Sequence, residues 1–338
     1  MDFTALVVDV PPQPWTGRFD GEEEEHLRWW QVVRPYPGTP PASAASGTAA
    51  AAAYALPAAF PSVPDSRPAV LLGFSSDEGV RRNNGRVGAA AAPAALRGSL
   101  GSLAFHLHRQ VFDAGDIVVA GTRLEAGQAR AGLAVSAMLD AGNLTVVLGG
   151  GHETAFASYL GVAHSAAALQ GKRLGVLNLD AHFDLRDHPE PTSGTPFLQM
   201  AKAEAAAERE LNYAVVGISE PNNTGALFNT ARRLGVKYLL DEDCSVERTQ
   251  DFIAEFLADV DIVYLTIDLD VLPAAVAPGV SAPAAYGVPL PVITAICRQV
   301  AASGKLFHLD VAELNPAVDI DQRTARVAAR LINTLLSY

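Results

Sequence analysis

Apolar positions in this chain alternate between two textures. Short runs dense in Val, Ile and Leu occupy residues 69–74, 116–120, 144–148, 173–179, 213–218, 236–240, 261–267 and 305–311, and they read as strands buried on both faces. Alanine-rich stretches of helical length separate most of them. Strand alternating with helix argues for a parallel sheet covered on both sides. The expected fold is therefore α/β, a three-layer α/β/α domain over residues 65–338 with a mostly parallel sheet of about eight strands. No internal repeat divides it. Residues 1–36 differ, carrying Trp15, the acidic run Glu22 to Glu25 and the pair Trp29-Trp30, whose aromatics suggest an extension packed on the domain. Residues 37–64 turn to Ala, Pro, Ser and Gly and read as a loop or linker.

With 338 residues, 49% of them hydrophobic, the chain can bury a sizeable core. Its net charge of −12 and the lack of a basic patch argue against nucleic acid as a partner. No apolar run approaches a membrane span and no secretory segment follows Met1, so a cytoplasmic protein is expected, acting on a small molecule. Only Cys244 and Cys297 occur, which gives neither a disulfide framework nor a thiolate metal cluster.

Three polar clusters change the picture. Gly-Gly-Gly-His152-Glu153 follows the run at 144–148, Asp180-Ala-His182-Phe-Asp184 follows 173–179, and Asp268-Leu-Asp270 follows 261–267. Two imidazoles and four carboxylates are enough to hold a pair of hard or borderline divalent cations with positions left for water. If each strand continued through its cluster, alternation would aim Asp180, His182 and Asp184 to one side, and Asp268 and Asp270 likewise. A lone Asp-x-Asp after a strand is ordinarily a helix N-cap or solvated turn. Three clusters at strand ends, where open parallel sheets bind ligands, point to a two-metal hydrolase.

These motifs resemble the ureohydrolase superfamily of arginase, agmatinase and formimidoylglutamase over roughly residues 68 to 335. The resemblance implies an arginase-like fold, a homo-oligomer and two Mn2+ ions per chain. One ion would be held by His152, Asp180, Asp184 and Asp268, the other by His182, Asp180, Asp268 and Asp270. It further implies that Glu313, in Leu309-Asp-Val-Ala-Glu-Leu-Asn-Pro316, pairs with an amidine or guanidine. The segments Ser76-Asp-Glu-Gly-Val-Arg-Arg-Asn-Asn-Gly-Arg-Val-Gly88, His182-Phe-Asp-Leu-Arg186, Thr192-Ser-Gly-Thr-Pro-Phe-Leu-Gln199 and Asn223-Thr-Gly-Ala-Leu-Phe228 are similar to the formimidoylglutamase branch. Arginases carry a proton-shuttling histidine four residues after the serine of the Ser-Gly motif, where this chain has Phe197.

The implied reaction is hydrolysis of N-formimidoyl-L-glutamate to L-glutamate and formamide, as in histidine degradation. A metal-bridging hydroxide would attack the amidine carbon, with Asp184 relaying a proton to the leaving amine. Such a substrate brings two carboxylates into an acidic chain and needs local cations. Arg81, Arg82 and Arg86 in one loop and Arg186 beside the second cluster are the candidates, with Asn84 and Ser193 as further substrate contacts. His188 lies in the following loop, His308 and Asp310 read as packing or metal-supporting residues, His106 and His108 as helix-surface residues, and His164 as structural. Three readings remain open beside this one: a guanidino hydrolase such as agmatinase, guanidinobutyrase or arginase releasing urea, a single-zinc deacetylase of related architecture, and a catalytically silent metal-binding protein.

Overall fold

The computed structural model describes residues 6–37, 54–56 and 67–338. Strand β1 (Leu6–Val8), helix α1 (Trp29–Val32), β2 (Arg34–Pro35) and β3 (Tyr54–Leu56) form the N-terminal part. Then come β4 (Ala69–Ser75), α2 (Glu78–Arg82), α3 (Ala92–Gly101), β5 (Val111–Val118), α4 (Leu124–Asp140) and β6 (Leu144–Leu148). The middle of the chain supplies α5 (Thr154–Ala163), α6 (Ala166–Leu169), β7 (Leu174–Leu179), α7 (Pro196–Ala206), β8 (Asn212–Ile218), α8 (Gly225–Arg233) and β9 (Lys237–Leu240). The rest is α9 (Val246–Ala258), β10 (Ile262–Asp268), α10 (Leu290–Ala302), β11 (Leu306–Ala312) and α11 (Arg323–Leu336).

Among the described residues, nine strands make one sheet in the order β2-β5-β4-β6-β11-β10-β7-β8-β9, and every pairing within it is parallel. Alternation along each strand feeds two cores. In β4, Ala69 and Leu71 join α3, α9, α10 and α11 on one face, while Val70, Leu72 and Phe74 join α4, α5, α7 and α8 on the other. Both faces are therefore dry, which is why the strands read as continuous apolar runs.

Several expectations change. The sheet gains an edge strand, β2, paired to β5 at Arg34 and Pro35; it is only two residues long and contains a proline, which pattern reading does not register as a strand. β5 begins at Val111 rather than at 116, because a register shift between Leu71 and Gly73 and a left-handed Gly115 (φ +85°) interrupt its alternation. Part of the 37–64 segment is a strand, Tyr54–Leu56, antiparallel to Leu6–Val8; residues 38–53 and 57–66 lie outside the described residues. His106 and His108 sit in the loop after α3 ends, not on a helix. Among the described residues no helix is long and apolar enough to cross a membrane.

The N-terminal segment meets the core through Trp29. Its fully buried indole stacks on Trp15 with centroids 6.4 Å apart, meets Phe105 edge-on, and donates Nε1–H to Asn333 Oδ1 at 3.0 Å. Trp15 in turn donates to Asp113 Oδ2 at 2.8 Å, within a cluster where Arg97 pairs with Asp113 and Asp116. Removing a large buried aromatic leaves a cavity that the sheet cannot close. Trp29→Ala is expected to cost about 3–5 kcal/mol of stability, read from urea unfolding.

Candidate metal centre

Four strands adjacent at the middle of the sheet, β6-β11-β10-β7, each end in one part of the site. β6 leads through Gly149, Gly150 and Gly151 to His152, β11 to Glu313, β10 to Asp268 and Asp270, and β7 to Asp180, His182 and Asp184. Register levels them, since Ile267 lies beside Leu179 and Asp268 beside Ala312. The next residues therefore meet at one height above the sheet.

Local geometry corrects one sequence expectation. β7 ends at Leu179 and β10 at Asp268, so strand alternation does not carry through the clusters. Each is instead a tight turn closed by its own first aspartate: Asp180 Oδ1 accepts from His182 N at 2.6 Å and Asp268 Oδ1 from Asp270 N at 2.8 Å. Short Asp side chains make this i to i+2 bond readily. The second loop is further tied down by Asn223, which accepts from Phe183 N at 3.1 Å and donates to Ala181 O at 2.9 Å and Ser219 O at 2.8 Å.

The convergence is close. His152 Nδ1 lies 3.2 Å from Asp180 Oδ2, 3.0 Å from Asp184 Oδ2 and 3.1 Å from Asp268 Oδ2; His182 Nδ1 lies 3.0 Å from Asp270 Oδ2 and 3.5 Å from Asp180 Oδ1. Two donor groups result, His152 with Asp180, Asp184 and Asp268, and Asp180 with His182 and Asp270, the ligand atoms of each within 4.8 Å of one another. Asp180 belongs to both groups and Asp268 only to the first. Burial would push the His152 imidazolium down, but Asp268, Asp180 and Asp184 reverse this and hold it well above its ordinary range. Burial, then Asp270 and Asp180, push the Asp268 carboxyl well up. The site thus favours positive charge between its carboxylates. Imidazole nitrogen and carboxylate oxygen are the donor types that suit hard and borderline divalent cations.

Behind these groups lies a layer of which the sequence had indicated only Asp310 as a metal-supporting or packing residue. His152 Nε2 lies 3.0 Å from Thr266 Oγ1, Thr266 donates to Asp310 Oδ1 at 2.6 Å, and Tyr264 donates to Asp310 Oδ2 at 2.5 Å. Because Thr266 donates its proton to Asp310, its oxygen can only accept from His152 Nε2–H, so it is Nδ1 that faces the carboxylates and would offer a lone pair to a cation there. Asn178 donates to Asp180 Oδ2 at 2.9 Å and to Tyr213 Oη at 3.1 Å. Phe197, where a histidine stands in arginases, is buried with its ring 5.4 Å from His152 and stacked 4.4 Å from Tyr213, so it packs beneath the site. Inward alternation along β7 and β10 was the available signal for Asn178, Tyr264 and Thr266.

Glu313 is buried and accepts from His152 N through Oε1 at 2.8 Å. Burial, then Glu153, push its carboxyl up to about 8. Its φ is +69°, that of Asp184 +47° and that of Asn84 +58°. Left-handed backbone costs a non-glycine residue about 1–3 kcal/mol, so three such residues around one cleft mark backbone bent to aim side chains. The glycine run is steric: a Cβ at Gly150 would sit 1.8 Å from Ser76 O, and one at Gly151 2.2 Å from Glu153 Oε2.

The groups open into a cleft of about 320 Å³ that Asn84, Arg86, Arg186, Ser193 and Glu313 also line. Arg81 and Arg82, expected as substrate contacts, do not line it. Arg81 forks onto Glu78 at 2.6 and 2.7 Å, while Arg82 reaches Glu78 at 2.9 Å, Glu125 at 2.8 Å and the carbonyls of Pro191 and Thr122. Glu78, only 6% exposed, attracts both. His188 is exposed and its ring hydrogen-bonds the Glu190 backbone. His308 is buried with Nδ1 at 2.6 Å from Thr145 Oγ1, and burial lowers it to about 3, a neutral packing residue.

Residues 67–337 match the Arginase family. Over 332 residues, 97% of this chain and 96% of the relative, the sequence is 55% identical to a formimidoylglutamase of Rhodococcus jostii (strain RHA1). It is 47% identical to that of Chromobacterium violaceum over 94% of this chain and 95% of the relative. Among solved structures, formimidoylglutamase from Bacillus subtilis aligns with a TM-score of 0.72 at 23% identity, covering 81% of this chain and 87% of the other. Trypanosoma cruzi formiminoglutamase with Mn2+ aligns at 0.70 and 26% identity, covering 80% and 93%. A family match from strand β4 to the end of α11, with this identity along nearly the whole chain, is conclusive: the chain belongs to the arginase family.

Proposed function

We propose that the protein hydrolyses N-formimidoyl-L-glutamate to L-glutamate and formamide. What carries this reading is the meeting, in one cleft, of five metal-capable donors, His152, His182, Asp184, Asp268 and Asp270, with Glu313 and Arg186, while Asp180 completes both donor groups beside them. The near full-length relatives named formimidoylglutamase support it. The reading extends to two Mn2+ ions per chain, for which His152, Asp180, Asp184 and Asp268 would hold one and Asp180, His182 and Asp270 the other. It includes a cytoplasmic role in histidine breakdown and a homo-oligomer, on the strength of the family resemblance.

Two divalent cations held by these donors would lower the pKa of water so that hydroxide is available at neutral pH. Glu313 accepts hydrogen bonds from the amidinium nitrogens and holds the amidine carbon toward the aspartates. Arg186 receives a substrate carboxylate, with Ser193 and Asn84 beside it. A new C–O bond forms from water to the amidine carbon, the bond from that carbon to the glutamate nitrogen breaks, and Asp184 passes the proton from water to that nitrogen. Formamide keeps the terminal nitrogen.

Purified protein loaded with Mn2+ is expected to release formamide and glutamate from N-formimidoyl-L-glutamate and no urea from agmatine, 4-guanidinobutyrate or arginine run in parallel. Urea release would overturn the substrate assignment and keep the metal site. Asp268→Ala is expected to abolish turnover and to reduce bound metal, counted per chain by elemental analysis; full activity would remove the metal mechanism, and one tightly held zinc in the wild type would favour the deacetylase reading. Asp310→Asn touches no donor directly, yet it weakens the hydrogen bond that orients His152. Metal affinity should fall about 10–100-fold in a chelator competition, with the fold unchanged by circular dichroism.

A further inference from the structure

Arg86 and Arg186 line the cleft, and neither forms an ion pair with a carboxylate among the described residues. Arg86 donates Nε–H to Ser281 O at 2.9 Å and an Nη2 proton to Val280 O, and its backbone N–H donates to Ser281 Oγ at 2.9 Å. Asn315, two residues beyond Glu313, holds the same loop by donating to the carbonyls of Arg86 and Val87, each at 3.0 Å. Every one of these partners is neutral. Carbonyl dipoles fix the side chain in place without removing its positive charge, and they leave Nη1 free for another acceptor. Arg186 comes from a different loop, tied by its backbone N–H to Gly194 O at 3.0 Å, and its guanidinium has no hydrogen-bond or ion-pair partner among the described residues. It lies over Gly194, where a Cβ would come 2.9 Å from its Cδ, so the glycine makes room for it.

The neighbouring arginines are the contrast. Arg81 and Arg82 share the Glu78 carboxylate, and Arg82 takes Glu125 as well, so their charge is met within the protein. In a chain with a net charge of −12, two guanidinium groups without a carboxylate partner thus face a cleft that Asp184, Asp268, Asp270 and Glu313 also line. Two such cations match two anionic groups on one ligand.

We propose that Arg86 and Arg186 together form a two-point dicarboxylate subsite, each receiving one carboxylate of the substrate, so that Arg86 sets specificity for dicarboxylate amidines over monocarboxylate and cationic ones. This rests on the reading of the protein as a formimidoylglutamate hydrolase. A loop clamp that merely braces residues 83–88 is the competing role for Arg86. The two roles differ in which substrates they affect.

The test compares wild type, Arg86→Gln and Arg186→Gln, all Mn2+-loaded, on N-formimidoyl-L-glutamate, on 4-(formimidoylamino)butanoate, which lacks the α-carboxylate, and on N-formimidoyl-L-2-aminobutanoate, which lacks the distal one. Losing a charge-assisted contact should lower kcat/KM of Arg86→Gln on the dicarboxylate about 10–100-fold, mainly through KM. The variant should match wild type on whichever analogue lacks the carboxylate that Arg86 holds, and Arg186→Gln should show the opposite pattern. Arg86→Lys, which keeps charge but not the fork, should recover part of the loss. Equal loss on all three substrates, or no loss on the dicarboxylate, would overturn the subsite. Inhibition of wild type provides a readout free of any folding defect: glutarate should compete about 10-fold or more tightly than butyrate, and equal inhibition would count against the proposal. Wild type inactive on formimidoylglutamate would overturn the underlying function and this inference with it; active wild type beside an unimpaired Arg86→Gln would overturn this inference alone.

Discussion

Four aspartates and two histidines gathered at the centre of a parallel sheet repel as well as attract, and the surrounding structure is organised around that fact. Burial raises the Asp268 and Asp184 carboxyls and the neighbouring acids raise them further, while the imidazole of His152 is drawn to positive charge. An uncompensated buried charge costs on the order of several kcal/mol, so a cluster of this kind is stable only where something else holds it together or cations fill it. The sheet supplies the first condition. β6, β11, β10 and β7 are hydrogen-bonded neighbours, so four motifs far apart in sequence share one rigid edge.

Rigidity continues into the loops. Aspartates at both strand ends bond their own backbone two residues on, Asn223 ties the Asp180 to Asp184 loop to the one after β8, and Thr266, Asp310 and Tyr264 set the imidazole of His152 from below. Left-handed backbone at Asp184 and Glu313 is compatible with this bracing, because each residue's side chain is engaged with His152. A metal centre of this type depends on such outer contacts for ligand orientation as much as on the ligands themselves.

Charge is partitioned with the same economy of position. Glu78 and Glu125 together neutralise Arg81 and Arg82 outside the cleft, while Arg86 is held by backbone carbonyls and Arg186 lies over the space left by Gly194. Adjacent residues of one motif therefore have different fates. An arginine docked on carboxylates contributes to structure; one docked on carbonyls keeps its charge available to a ligand.

Much was legible along the chain. Alternating strand and helix patterns indicated a parallel three-layer fold, and His152, Asp180, His182, Asp184, Asp268 and Asp270 stood at strand ends, where open parallel sheets bind ligands, while Glu313 was singled out by the family resemblance. What local pattern could not carry was anything set by contacts between distant residues. The two-residue edge strand at Arg34 and Pro35 exists only because β5 is there to pair with it. Asn178 and Thr266 look like ordinary inward-facing strand residues until the sheet order brings His152 and Asp180 beside them. Arg81, Arg82 and Arg86 lie within six positions of one another in a polar loop. Which of them keeps its charge free was decided by Glu78 and the carbonyls of Val280 and Ser281, groups that meet these arginines only when the chain is folded.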